Sequence, residues 1–165
     1  MITPSRRKYS NATGRVAEVR FIRCATSKGL DVKKSTSEED MKKHVDYWMF
    51  MDGVTMGGVD VKGNNLPDEI WVEFKNVQGK TGWLYGSAKI IAFDMPEEGG
   101  FCIVDREELA SFCELTVSDE VVTEKKDAYL KKYTRKDRFD VITILKLHDL
   151  KSLLSYRVWE YDKNY

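Results

Sequence analysis

Residues 45–62, VDYWMFM, then Asp52-Gly53, then VTMGGVDVK, constrain the fold more than any other stretch. An Asp-Gly pair between two β-type runs signals a two-residue hairpin, because a type I′ turn needs positive φ at both central positions. An antiparallel pair is therefore expected, 45–51 with 54–62. Gly57-Gly58 in the second run predicts a bulge or a close backbone approach. A turn-rich connection, GNNLPDE, leads to a third run, IWVEFKN at 70–76. After a glycine-bounded helix or turn, GKTGWLYG, come two further strand-like runs, KIIAFDM and GFCIVD.

Helical signals bracket these runs. A first helix is expected over about 14–27, capped by Thr13 or Asn11 and stopped by Gly29, with Ala17, Phe21, Ile22, Cys24 and Ala25 as its apolar residues. STSEEDMKK reads as a capped helical turn beginning at Ser37, and REELASFCEL as a helix capped by Asp105. A strand, DVITILKL, and a last helix opening at Asp149 complete the chain. The succession predicts one α/β domain over residues 1–165, a mixed β-sheet flanked by helices.

Composition narrows the function classes. Lys and Arg together number 27, as do Asp and Glu, so binding to nucleic acid has to come from local patches rather than net charge. Cys24, Cys102 and Cys113 form no paired spacing and stand in apolar contexts, which predicts buried free thiols and an intracellular, cytoplasmic protein. With His44 and His148 far apart and no paired cysteines, a zinc site is not expected. No apolar run approaches membrane-spanning length, so no membrane partner is expected. Gly79-Lys80-Thr81 lacks the earlier glycine of a phosphate loop, since Phe74 stands at the required position.

The chemistry-bearing residues are acid-x-lysine runs. Six occur, and four of them are set aside by context: Asp31 has no acid on a preceding strand, Asp40 and Glu124 sit in charge runs, and Asp149 reads as a cap. Asp60-Val61-Lys62 and Glu73-Phe74-Lys75 remain, each inside a strand pattern, their acids thirteen residues apart. Carboxylates on adjacent strands, about 4.8 Å apart, can converge on one Mg²⁺ or Mn²⁺ ion, with the Phe74 carbonyl as a further oxygen. Lys75, two residues from Glu73, would share its face and attend a water or a charged phosphorane. Glu18 shares the first helix's stripe with Phe21, Ile22 and Ala25, where a carboxylate needs a cation or donors to satisfy it.

An acid on the first helix, an aspartate on one strand and Glu-x-Lys on the next resemble the PD-(D/E)XK nuclease superfamily over about residues 14–105. IWVEFKNVQGKTGWLYG is similar to small phage-type proteins with that signature. The resemblance implies a restriction-endonuclease-like core and a metal-dependent DNA endonuclease acting in phage or host DNA processing, repair or recombination. By position it implies Asp60, Glu73 and the Phe74 carbonyl as metal ligands, Lys75 at the water, and Glu18 at a second metal. Asp46 with Asp60-Val61-Lys62, at an offset of fourteen, fits the same pattern; the Glu73 assignment is preferred because its run is the more apolar. A catalytically silent member of the fold, binding DNA or a protein, is the alternative class. Lys62, Lys80, Trp83 and, in the basic stretch 125–138, Lys131, Lys132 and Arg135 are the candidate DNA contacts. Cutting both strands with one small site would call for a homodimer.

Overall fold

The computed structural model describes residues 4–63 and 66–163, with side chains from residue 13 onward. Helix α1 (Pro4–Ser27) leads to β1 (Asp31–Lys34), α2 (Ser37–Lys43) and the hairpin of β2 (Tyr47–Met51) and β3 (Val54–Lys62). Next come β4 (Ile70–Lys75), a 3₁₀ turn over Trp83–Tyr85, β5 (Ile90–Met95), β6 (Gly100–Asp105) and α3 (Arg106–Thr116). The chain continues through two short strands, β7 (Val121–Val122) and β8 (Lys132–Tyr133). Then follow β9 (Val141–Leu145), α4 (Leu147–Lys151) and β10 (Arg157–Glu160).

The architecture is mixed α/β, but the strands divide into two sheets rather than the one expected. The larger has the order β1-β2-β3-β5-β6-β10, and the smaller β4-β9-β8-β7. In the larger sheet β3 and β5 run parallel, and every other pair is antiparallel. β4 leaves the hairpin it follows and pairs with β9. Its two fully buried residues, Ile70 and Val72, go into the core beneath the smaller sheet.

The hairpin forms as its turn residues dictate, with φ of 50° at Asp52 and 78° at Gly53. The expected bulge is present: Phe50 pairs with Thr55 and Met49 with Gly57, leaving Met56 as the extra residue. Gly57, at φ +99°, takes up the distortion. The bulge fixes which way the rest of β3 faces, because a one-residue slip exchanges the two faces of a strand.

Helix α1 begins at Pro4, so Asn11 and Thr13 lie within it instead of capping it. Gly29 ends it at φ +83°, and the Leu30 N–H returns to the Ala25 carbonyl at 3.1 Å. Ala17, Phe21, Cys24 and Ala25 are buried against Val59, Val61, Ala92 and Ile103 of the larger sheet. Gly63 allows the helix to close on the end of β3, since a Cβ there would stand 3.2 Å from both Ala17 Cβ and the Thr13 carbonyl. The sheet's other face shares a second core with α3, Trp83, Leu84 and the smaller sheet.

Asp105 caps α3 as expected, accepting the Glu108 N–H at 3.0 Å. The last helix opens at Leu147 rather than at Asp149, whose buried carboxylate accepts the Lys146 N–H at 2.9 Å. The turn-rich connection before β4 includes Asn64 and Asn65, which lie outside the described residues. All three cysteines are buried free thiols. Among the described residues no helix is long and apolar enough to cross a membrane.

Candidate functional site

The two acid-x-lysine strands part company. Asp60 and Lys62 stand at the end of β3 in the larger sheet, and Glu73 and Lys75 on β4 in the smaller, so no neighbouring-strand geometry joins Asp60 to Glu73. A bulge between Glu73 and Lys75 breaks the alternation that would put both on one face. The Phe74 carbonyl accepts the Gly82 N–H at 2.9 Å, Glu73 Oε1 accepts the Trp83 N–H at 3.4 Å, and Lys75 is exposed. The expected Asp60–Glu73–Phe74–Lys75 constellation is therefore not assembled.

A different set is. An open cavity of about 350 Å³ lies at the end of β3, lined by Glu18 and Arg15 of α1, Asp40 of α2, Asp46 just before β2, and Asp60 and Lys62. This is the Asp46 alternative, with Glu18 in the place the sequence suggested and Asp40 added. Gly63 eases the close approach of α1 to the strand end that carries Asp60.

Local structure holds each acid in place. The Asp46 N–H donates to the Val59 carbonyl at 2.9 Å, and its Oδ2 accepts the Val61 N–H at 2.7 Å. This bond continues the hairpin past its last regular pair, Tyr47 with Val59. Ser35, following β1, clamps the same residue from behind: its N–H and Oγ both donate to the Asp46 carbonyl, at 3.0 and 2.9 Å. Asp40 rides on α2, which has a complete capping box between Thr36 and Glu39. Trp48 Nε1 donates to Glu39 Oε2 at 3.0 Å, tying that helix to β2.

Asp60 is only 4% exposed. Its Oδ2 has no hydrogen-bond partner; Lys62 Nζ, 3.1 Å away, compensates it by charge rather than by a well-aligned hydrogen bond. Burial pushes the Asp60 carboxyl up from its ordinary value, against the pull of Lys62 and of a hydrogen bond with Asp46. Asp46 is pushed up to about 6, by burial first and by the Asp60 charge second. Glu18 and Asp40 are also raised, in both cases by burial and then by Asp46. Four carboxyls thus resist ionisation, chiefly because they are buried, while Lys62, Lys34 and Arg15 offset part of the effect.

A divalent cation suits this donor set. Mg²⁺ is commonly held through one or two carboxylates with water completing the octahedron. Asp46 and Asp60, whose Oδ2 is ion-paired with Lys62, supply that minimum. The Val61 carbonyl lies on the same strand edge as the N–H that Asp46 accepts, because a strand residue's two polar groups point to one side. Among the described residues no group of three or more His, Cys, Asp or Glu side chains is arranged to hold a metal ion, so an ion here would rest on two carboxylates and water.

The candidate DNA contacts fare unevenly. Lys62 lines the cavity and Lys80 is exposed in the loop after β4. Trp83 is 6% exposed and belongs to the core, so its indole does not present itself to a ligand. The basic stretch is matched by acids: Lys131 pairs with Glu120 at 3.1 Å, Lys132 with Asp119 at 3.2 Å, and Arg135 with buried Asp140. The sequence reading set Asp40 aside as part of a charge run and did not single out Arg15. Arg15 stands one helical turn before Glu18 on α1, and Asp40 on the helix that leads to Asp46. No known protein family, curated protein or solved structure matches this chain.

Proposed function

We propose that the protein is a metal-dependent nuclease that hydrolyses phosphodiester bonds in DNA, with a restriction-endonuclease-like core. One observation carries the reading: Glu18, Asp46, Asp60 and Lys62 meet in a single open cavity, with a buried Asp60 oxygen that lacks a hydrogen-bond partner. An acid on the first helix, an aspartate entering one strand and acid-x-lysine on the next is the pattern the superfamily resemblance implies, shifted from Glu73 to Asp60.

Asp46, Asp60 and the Val61 carbonyl would hold Mg²⁺ or Mn²⁺, and Glu18 with Asp40 would hold or tune a second ion. A bound divalent cation would polarise the scissile phosphate and favour attack by water. Lys62 supplies positive charge where the phosphorane accumulates negative charge, and orients the water beside Asp60. Arg15, on the cavity wall, is placed to take a non-bridging phosphate oxygen.

The test is incubation of supercoiled, linear, single-stranded and branched DNA with the protein in Mg²⁺, Mn²⁺ or EDTA. Cutting in either metal, abolished by EDTA and reduced at least about a hundredfold by Asp60→Asn or Lys62→Met, is expected. No cutting of any substrate would refute the enzyme, and metal-independent DNA binding would then favour a silent member of the fold.

A further inference from the structure

The segment most like a catalytic motif in the sequence ends beside the cavity as a support. Glu73 Oε1 accepts the Trp83 N–H at 3.4 Å, and the Phe74 carbonyl accepts the Gly82 N–H at 2.9 Å. Glycine is required at 82, because a Cβ there would lie 2.5 Å from the Glu73 carbonyl oxygen. The 3₁₀ turn is thereby fastened to β4. Its Trp83 indole is locked against Phe93, with centroids 6.1 Å apart at 66°. On the indole rests Lys62, its Nζ 4.8 Å from the ring centroid and 3.1 Å from Asp60 Oδ2.

We infer that Trp83 is a positioning residue, whose buried ring holds the Lys62 ammonium at the carboxylate cavity. A lysine side chain has four rotatable bonds and loses much entropy when fixed. A carboxylate contact fixes the ammonium's distance from that oxygen more than its direction. A second contact, to an aromatic face that attracts cations, restrains that direction. The smaller sheet therefore serves the cavity without contributing a ligand: Glu73 and Gly82 hold the turn, the turn holds the ring, and the ring holds Lys62. The geometric part stands on the contacts alone, and its consequence for cutting rests on the nuclease reading.

The experiment uses the full chain and its Trp83→Leu and Trp83→Phe variants. In the wild type the Lys62 ε-methylene resonance is expected upfield of ordinary lysines, because it sits over an indole. The shift should vanish in Trp83→Leu and persist in part in Trp83→Phe. Cutting by Trp83→Leu should fall about tenfold or more in kcat with KM for DNA within about twofold, as expected when a reacting group is misplaced. Trp83→Phe should restore most of the rate. In a Lys62→Met background, Trp83→Leu should cost nothing further, since residues acting as one unit are not additive.

An unshifted Lys62 resonance in the wild type would overturn the inference. So would an equal loss of residual rate on adding Trp83→Leu to Lys62→Met. If the wild type cuts no DNA, the nuclease reading fails while the chemical shift still decides the positioning. Should Trp83→Leu not fold, the partial shift and partial rate of Trp83→Phe decide instead.

Discussion

Replacing Asp46 with asparagine separates the electrostatic strain of the cavity from its use. The carboxyl climbs from 3.8 to about 6, through burial and the neighbouring Asp60 charge. The folded chain then holds this proton to higher pH than the unfolded chain does, so between about pH 4 and pH 6 it binds more protons and stability falls as pH rises. At about 1.4 kcal/mol per pH unit the full penalty is roughly 3 kcal/mol, and screening through the open mouth reduces it to roughly 2 kcal/mol. Asparagine keeps an oxygen for the Val61 N–H, offers an N–H to Asp60 and carries no charge. In the absence of divalent cation, Asp46→Asn should therefore match the wild type only below the unfolded carboxyl's pKa, at about pH 3.5. Near pH 8 it should melt roughly 4–8 °C higher, given about 2–4 °C per kcal/mol for a chain of this size. Millimolar Mg²⁺ or Mn²⁺ should raise the melting temperature of the wild type at the higher pH and leave the variant unchanged. Thermal unfolding at the two pH values, with and without metal, reads all of this. A variant less stable than the wild type near pH 8, or a stability difference independent of pH, would refute the reasoning.

Other perturbations address other links. Gly57→Val forces a branched side chain to φ +99°, with its Cβ 2.7 Å from Lys89 Cβ; denaturant unfolding should show a loss of about 2 kcal/mol or more, and cutting should be lost because the bulge orients Asp60. Lys75→Ala should leave the cutting rate within about twofold, whereas Lys62→Met should reduce it by at least about a hundredfold. Thr36→Ala removes the cap of the helix carrying Asp40; a loss of about 1 kcal/mol in denaturant unfolding is expected. Arg135→Met strands the buried Asp140 carboxylate, and a loss of about 3–5 kcal/mol is expected, marking Arg135 as structural.

Features set by near neighbours were legible in the sequence. Asp52-Gly53 specified its turn, Gly57 its bulge, Asp105 its helix and Gly29 its stop, because each acts within a few residues. Pairing between distant strands was not legible. The apolarity of IWVEFKN reads the same whether it joins the hairpin or, as it does, a separate sheet through β9. β1 and β10 were missed because DVKK and RVWE hold few apolar residues and become strands by tertiary pairing with β2 and β6. The site shows the same limit. Glu18 and Asp60 were found from residue type and pattern, but the choice of their partner depended on which acid the fold brings near. Apolar context favoured Glu73, yet that context reports burial of Ile70 and Val72 beneath the smaller sheet. Asp46 was set by the hairpin register and by the Ser35 clamp, and only the first was open to inspection in the sequence.

The most direct measurement is calorimetric titration of Mn²⁺ into the metal-free protein and its Asp46→Asn, Asp60→Asn and Glu73→Gln variants near pH 8. The cavity at the end of β3 predicts saturable binding that survives Glu73→Gln and is lost in Asp46→Asn and Asp60→Asn. Binding that persists in Asp60→Asn, or disappears in Glu73→Gln alone, would contradict the assignment of the site.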